Sequence, residues 1–364
     1  MVRIDSLSLH EGKMVKFLRT ELRSLGISSF SAGKPRWGEV GNLVAFVPGR
    51  GQNTPRVMLN AHIDTVSPGK NIKPIEKRGC IYTDHSTILG ADNKAGVAAI
   101  LEILRVLKEH KIQHPPLRLI FTVAEEIGLM GAKALPEKVM NADFCLTLDG
   151  GDIDRVIHKA PSQYNLTAMI KGRAAHAGIH PEEGINAIKV ASEAISHMRL
   201  GRIDKETTAN IGTIKGGKAT NIIPDEVELK GEARSHNLKK LDRQVEHMER
   251  ALLKACQKYR ARLQLKVERM YKSFEINKTS KVLSLVVKGM KTAGIKPKVV
   301  QTGGGSDANT FNEWGIPTLI LGVGADRVHT TREQICVDDL MKGAEMILSI
   351  IKETAAWKNS KRKK

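Results

Sequence analysis

The chain has 364 residues, 41% hydrophobic and 27% charged, which marks an ordinary soluble globular protein with material for two cored domains or one large one. No run of about 18 apolar residues is present, so no spanning helix is expected. The stretch Met1-Val2-Arg3-Ile4-Asp5-Ser6 lacks the apolar core of a secretion signal, and the cytoplasm is the expected location. The formal net charge is +19, but the lysines are dispersed and aromatics at 4% offer no stacking platform for single strands. The expectation is a solvated basic surface. No membrane partner is expected, and nucleic acid is not the expected partner either. The dense basic tail from 358 to 364 is expected to be disordered.

Ser8 to about Leu25 reads as an amphipathic opening helix, with Met14, Leu18, Leu22 and Leu25 at helical spacing. Gly41 to Val47 and Val57 to Ala61 read as strands. The second runs into His62-Ile-Asp64. A strand ending in His-x-Asp places an imidazole, a common zinc ligand, beside a carboxylate that can orient it. Alone, that triplet favours a structural reading, and its weight depends on what recurs downstream. Four cysteines (Cys80, Cys145, Cys256, Cys336) are scattered without a CxxC pair, which argues against a disulfide framework or a zinc ribbon. Cys145, in an apolar run, is expected to be a buried thiol.

A strongly apolar helix is predicted from Gly96 to about Leu107. Asp92 sits where a loop enters it, either as an N-cap or, given partners, as a metal bridge. Leu117 to Ala124 is a strand of the buried kind. It ends in Glu125-Glu126, two adjacent carboxylates that are costly to bury unless a cation neutralises them. Ala142 to Leu148 is another apolar strand, tipped by Asp149-Gly150-Gly151. Successive strand or loop ends therefore carry His62 and Asp64, Asp92, Glu125 and Glu126, and Asp149. Ligands bind at the carboxyl ends of strands in open α/β sheets, and this donor set fits a two-metal site.

After Pro161 the pattern changes. Strands at Tyr164 to Gly172, Thr208 to Lys215, Glu226 to Ser235 and Arg262 to Met270 alternate with helices at Gly184 to Met198 and Asn237 to Tyr259. The order βαββαβ is ferredoxin-like. The expected fold class is α/β: a catalytic domain from 1–162 and 272–364, with a mixed sheet flanked by helices, and an inserted α+β domain over 163–271. The α/β pattern resumes with a helix at Ser280 to Ala293, a strand at Lys298 to Gln301 and the loop Thr302-Gly303-Gly304-Gly305-Ser306-Asp307. That loop lacks a phosphate-binding pattern. A strand at Pro317 to Val323 leads to His329 on the following loop, where a final ligand would arrive. Asp338 to about Trp357 closes the chain as a helix.

The stretches His62-Ile-Asp64, Gly90-Ala-Asp92-Asn-Lys-Ala-Gly96, Glu125-Glu126-Ile-Gly, Leu148-Asp149-Gly-Gly, Gly172-Arg-Ala-Ala-His176-Ala-Gly and His329-Thr span nearly the whole chain. In these stretches it resembles the dinuclear-zinc peptidases of the peptidase T, carboxypeptidase G and aminoacylase family, and is most similar to the peptidase T branch. The resemblance implies that Asp92 bridges two divalent ions, zinc first, with cobalt or manganese as alternatives. It implies that His62 and Asp149 complete one ion and Glu126 and His329 the other. Glu125 would be the general base, Asp64 would hold His62, and the Asp92–Asn93 peptide would be cis. Many relatives carry Asp where this chain has Asn93, a position that is not a ligand in the family.

The resemblance also implies a lid and dimerisation role for the inserted domain, with His176 reaching the partner's site to stabilise the oxyanion. Asn221 and Arg234 match positions that bind the substrate's polar end, and Gly303 to Ser306 would line the site. The implied activity is hydrolysis of short peptides by a cytoplasmic, homodimeric aminopeptidase of tripeptides or dipeptides. An N-acyl amino acid deacylase or a carboxypeptidase of the same family is the alternative. The large tetrahedral aminopeptidases share a Glu-Glu-x-Gly-x-x-Gly strand end, but the βαββαβ insert argues against them. A binding protein that kept the fold and uses its basic surface is opposed by the intact ligand set.

Overall fold

The computed structural model describes residues 1–51 and 54–357, so the expectation for the basic tail lies outside the described residues. The chain forms two compact units. One comprises Met1–Lys159, Glu275–Thr302 and Ser306–Lys364, the other Ala160–Phe274 with Gly303–Gly305.

The first unit is built on a mixed sheet. Its strands run in the spatial order Ser29–Ala32, Asn42–Val47, Leu117–Thr122, Val57–His62, Phe144–Gly150, Thr318–Gly322 and Arg155–Ala160. The four strands from Leu117–Thr122 to Thr318–Gly322 are mutually parallel, so their carboxyl ends share one edge. These strands read as continuous apolar runs because both faces are covered. Leu59, Leu119, Phe121, Leu146 and Leu148 pack with the helices Gly12–Ser24, Ala91–Glu109, Lys281–Thr292 and Val337–Ala356. Their alternate neighbours Met58, Ile120 and Cys145 pack on the other face with Ala132, Phe311 and Ile316. The period of two along each strand thus feeds two separate cores.

Helix ends differ from the periodicity by a few residues, as the ends of amphipathic runs do. The largest change is at Ala91–Glu109, which begins before the apolar stretch because Asp92 and Asn93 enter it with non-helical backbone angles. The strands Ser29–Ala32 and Arg155–Ala160 and the helix Asp307–Glu313 were not expected.

One cysteine reading needs correction. Cys80 and Cys336 sit opposite each other in an antiparallel pair of short strands, Cys80–Tyr82 and Gln334–Cys336, and form a disulfide. They are 256 residues apart, so spacing alone carried no signal of it. Cys145 is a buried free thiol, as expected.

The second unit holds an antiparallel sheet in the order Gly201–Arg202, Thr207–Gly216, Glu226–Ser235, Ser162–Lys171 and Arg262–Tyr271. With the helices Ala187–Ser196 and Leu238–Lys258 this is the βαββαβ arrangement plus one short edge strand. Ala168, Ile170, Val227 and Leu229 on one sheet face pack with Val190, Ala194, Leu241 and Met248 of the two helices. Asn186 and Asn237 cap those helices by accepting from Lys189 N–H and Lys240 N–H.

Candidate active site: a cluster of imidazoles and carboxylates

His62 ends the strand Val57–His62 and is 2% exposed. Its Nδ1 lies 3.1 Å from the Asp64 carbonyl oxygen, so that nitrogen donates and the ring is fixed. Nε2 then faces Asp92 Oδ1 at 3.1 Å and Asp149 Oδ1 at 3.4 Å. On the far side of Asp92, His329 Nε2 lies 3.3 Å from Oδ2 and 3.0 Å from a Glu126 carboxylate oxygen. Asp92 therefore offers one oxygen to each imidazole. His62, Asp92 and Glu126 have donor atoms close enough together to hold one ion. The Asp92–Asn93 peptide is cis, as the resemblance implied.

An imidazole lone pair aimed at carboxylate oxygens is repulsive unless a cation lies between them. The acid–base balance of the site shows the same demand. Burial works against a charge on His62, but hydrogen bonds to Asp149, Asp64 and Asp92 outweigh it and hold its pKa well above normal. Asp92 and Glu126 lift His329 to about 10. Burial opposes ionisation of Asp92, yet the two imidazoles prevail and hold it below the usual carboxylate range. Burial raises Asp149 to about 7 despite His62, with Asp92 and Asp307 adding to the rise. Without another cation, protons fill this role, and a metal would compete with them.

Glu125 is 7% exposed at the carboxyl end of the strand Leu117–Thr122. Burial pushes its pKa well up against the pull of His62, helped by Asp149, Asp307 and Glu126. Asp64 braces this turn as well as His62: its carboxylate accepts from Glu125 N–H at 3.0 Å and Glu126 N–H at 3.2 Å. The Ser8 hydroxyl donates to the same carboxylate at 2.6 Å.

His62, Asp64, Asp92, Glu125, Glu126, Asp149 and His329 thus gather in the first unit. His176, Asn221 and Arg234 belong to the second. His176 is exposed, and its Nδ1 accepts from Gly178 N–H. Asn221 is exposed, and its carbonyl accepts from Ala177 N–H. Arg234 is already engaged, donating from Nε and Nη2 to the two Glu232 carboxylate oxygens at 2.9 and 2.8 Å. Gly305, expected to approach a ligand, meets the Tyr271 ring where a Cβ would be, so packing within its own unit requires the glycine.

Sequence reasoning missed several buried polar groups. Glu11 accepts from Ala124 N–H at 2.9 Å, steadying a residue at φ +50° just before Glu125. Asp307 receives the Thr122 hydroxyl and Asn60 Nδ2, and burial raises it to about 6. Glu333 accepts from three backbone N–H groups around Asp92. Each acts on distant backbone or on neutral side chains far away in the sequence, which leaves no local spacing to detect.

Residues 58–353 match the model of peptidase family M20/M25/M40. The chain is 41% identical over 358 residues to uncharacterized protein YqjE of Bacillus subtilis (strain 168), covering 98% of this chain and 96% of that one. Among solved structures it is similar to aminopeptidase PepT from Bacillus cereus ATCC 10987, with TM-score 0.85, 40% identity, and 97% and 96% of the two chains covered. It is also similar to a tripeptidase from Staphylococcus aureus subsp. aureus Mu50, with TM-score 0.90, 39% identity, and 98% and 96% covered.

Proposed function

Because this chain belongs to peptidase family M20/M25/M40, on its peptidase T-like side, we propose that it is a metal-dependent aminopeptidase of short peptides. The observation that carries the reading is the division of Asp92, one carboxylate oxygen toward His62 and the other toward His329. The donor chemistry fits divalent ions. Two imidazoles and several carboxylates suit zinc, and their mutual repulsion is relieved only by cations. His62, Asp149 and Asp92 would hold one ion, and Glu126, His329 and Asp92 the second. When bound, such a pair supplies Lewis-acid activation of a water molecule and of the scissile carbonyl.

The protein's own groups do the rest. Asp64 fixes the tautomer of His62 so that Nε2 faces inward, and it holds Glu125 and Glu126 by their backbone. Glu125 takes a proton from water and returns it to the leaving amine. Its burial raises its proton affinity, which suits a group that must do both. Within this reading His176 of a second copy stabilises the oxyanion, and the inserted unit over 163–271 serves as lid and dimer contact. Asn221 and Arg234 hold the polar end of the peptide. Arg234 then shares its guanidinium between Glu232 and the substrate. Zinc is the proposed metal and the cytoplasm the proposed location. Among the described residues no helix is long and apolar enough to cross a membrane.

The test is turnover of an alanine tripeptide against N-acetyl amino acids, with zinc or cobalt supplied. Release of the N-terminal residue from the tripeptide is expected. Turnover of the acetylated compounds without turnover of the free-amine peptide would replace the aminopeptidase reading with a deacylase.

A further inference from the structure

Gly90, the residue before the helix Ala91–Glu109, offers no capping side chain, and Asn93 within it accepts from Gly96 N–H at 3.2 Å. The N–H groups of Leu89 and Gly90, which lead into the helix, and of Asp92 in its first turn find their acceptors elsewhere. Glu333 supplies them from across the sequence. Its side chain is 1% exposed. One oxygen accepts from Leu89 N–H at 2.8 Å and Gly90 N–H at 2.7 Å, and the other accepts from Asp92 N–H at 2.8 Å. These are charge-assisted bonds, and a carboxylate at a helix N-terminus is further favoured by the aligned peptide dipoles. Gly90 sits at φ +71°, so the turn that lets all three N–H groups converge on one carboxylate depends on a residue without a side chain.

Glu333 also stands four residues after His329, which is on an exposed loop at φ +63°. Its N–H donates to the Thr330 carbonyl at 3.1 Å, closing a tight turn between the two. The next residues, Gln334–Cys336, are pinned to Cys80–Tyr82 by strand pairing and the disulfide. The loop arm that carries His329 and the helix entry that carries Asp92 are therefore joined through one buried carboxylate.

We propose that Glu333 is a positioning residue that keeps Asp92 and His329 in register for metal binding. The proposal rests on the metal reading above, and it gives Glu333 no contact with substrate. Its effect reaches the ligands through the backbone of Leu89, Gly90 and Asp92.

The test is zinc titration of the metal-free protein against a chromophoric chelator, with the thermal midpoint of the same metal-free samples. Glu333→Gln keeps the shape but turns one acceptor oxygen into an amide that confronts N–H donors. A loss of roughly 10–100-fold in zinc affinity is expected, the range seen when groups behind metal ligands are removed. Leu22→Ala, in the core of the helix Gly12–Ser24, is the control for general destabilisation. It is expected to lower the midpoint and to bind zinc like wild type. Glu333→Asp keeps both oxygens on a shorter arm and serves if the glutamine variant does not fold. It is expected to lose affinity several-fold. Zinc affinity within experimental error of wild type in a folded Glu333 variant overturns the proposal, as does an equal loss in Leu22→Ala. A wild-type protein that takes up no divalent ion removes the metal reading and this proposal with it.

Discussion

His62 and His329 reach the same carboxylate from opposite structural circumstances. His62 is the last residue of a central strand, 2% exposed, with its ring held by the Asp64 carbonyl. His329 lies on a loop, its side chain 52% exposed, with Asp92 and Glu126 as its partners. The sheet fixes one arm of the cluster, and the other arm is brought to it by a segment whose buried anchor is Glu333. The contrast concerns the consequence of error. Removing the buried His62 ring would leave its carboxylates in the interior without a partner, whereas removing the half-exposed His329 ring would open Glu126 and Asp92 to water.

The largest expected effect lies between the two arms. Glu125→Gln should lower turnover by about 10²–10⁴-fold while zinc uptake and thermal midpoint stay near wild type. Steady-state kinetics on a metal-loaded, folded variant would check it, and retained turnover would remove Glu125 from the proton-transfer role. Next, His62→Ala should abolish tight zinc binding and lower the midpoint of the metal-free protein. His329→Ala should weaken uptake of one ion and leave that midpoint almost unchanged. Metal stoichiometry and calorimetry on the pair would break the comparison if both variants lost equal stability.

The smallest effect is one of pH. The pKa of His329 is raised to about 10 by Asp92 and Glu126. A group whose pKa is raised on folding stabilises the folded state fully below its unfolded value, near 6.5, and loses that contribution as pH rises through the folded value. The metal-free protein should therefore lose a small part of its stability between about pH 7 and 10. His329→Ala should flatten that slope. The exposure of the ring keeps the effect modest.

What could be read from the residues follows the same division. The central strands were legible because burial on both faces demands continuous apolar runs, and the proposed ligands His62 and Asp149 were noticeable because they stand at the ends of such runs. Ser29–Ala32 and Arg155–Ala160 were missed for the opposite reason. The first is short and partly exposed, and the second mixes Arg155, His158 and Lys159 into its apolar residues. Cys80 and Cys336, like Glu333 and its backbone partners, are joined only by the tertiary fold. Arg234 was legible as a guanidinium on a strand, but its engagement with Glu232 two residues earlier was not foreseen. Residue type shows what a side chain can bind, and the fold decides whether that capacity is already used.

Lys94 offers a practical consequence. It lies two residues after Asp92 in the helix Ala91–Glu109, is 2% exposed, and donates from Nζ to the Ile4 carbonyl at 2.7 Å. Burial lowers its pKa to about 8, so the ammonium is only narrowly retained at neutral pH. The Ile4 carbonyl is therefore the acceptor that a buried ammonium two residues from Asp92 relies on. Trimming the first few residues, or attaching a bulky affinity handle that pulls Ile4 away, would strand a cation in the interior.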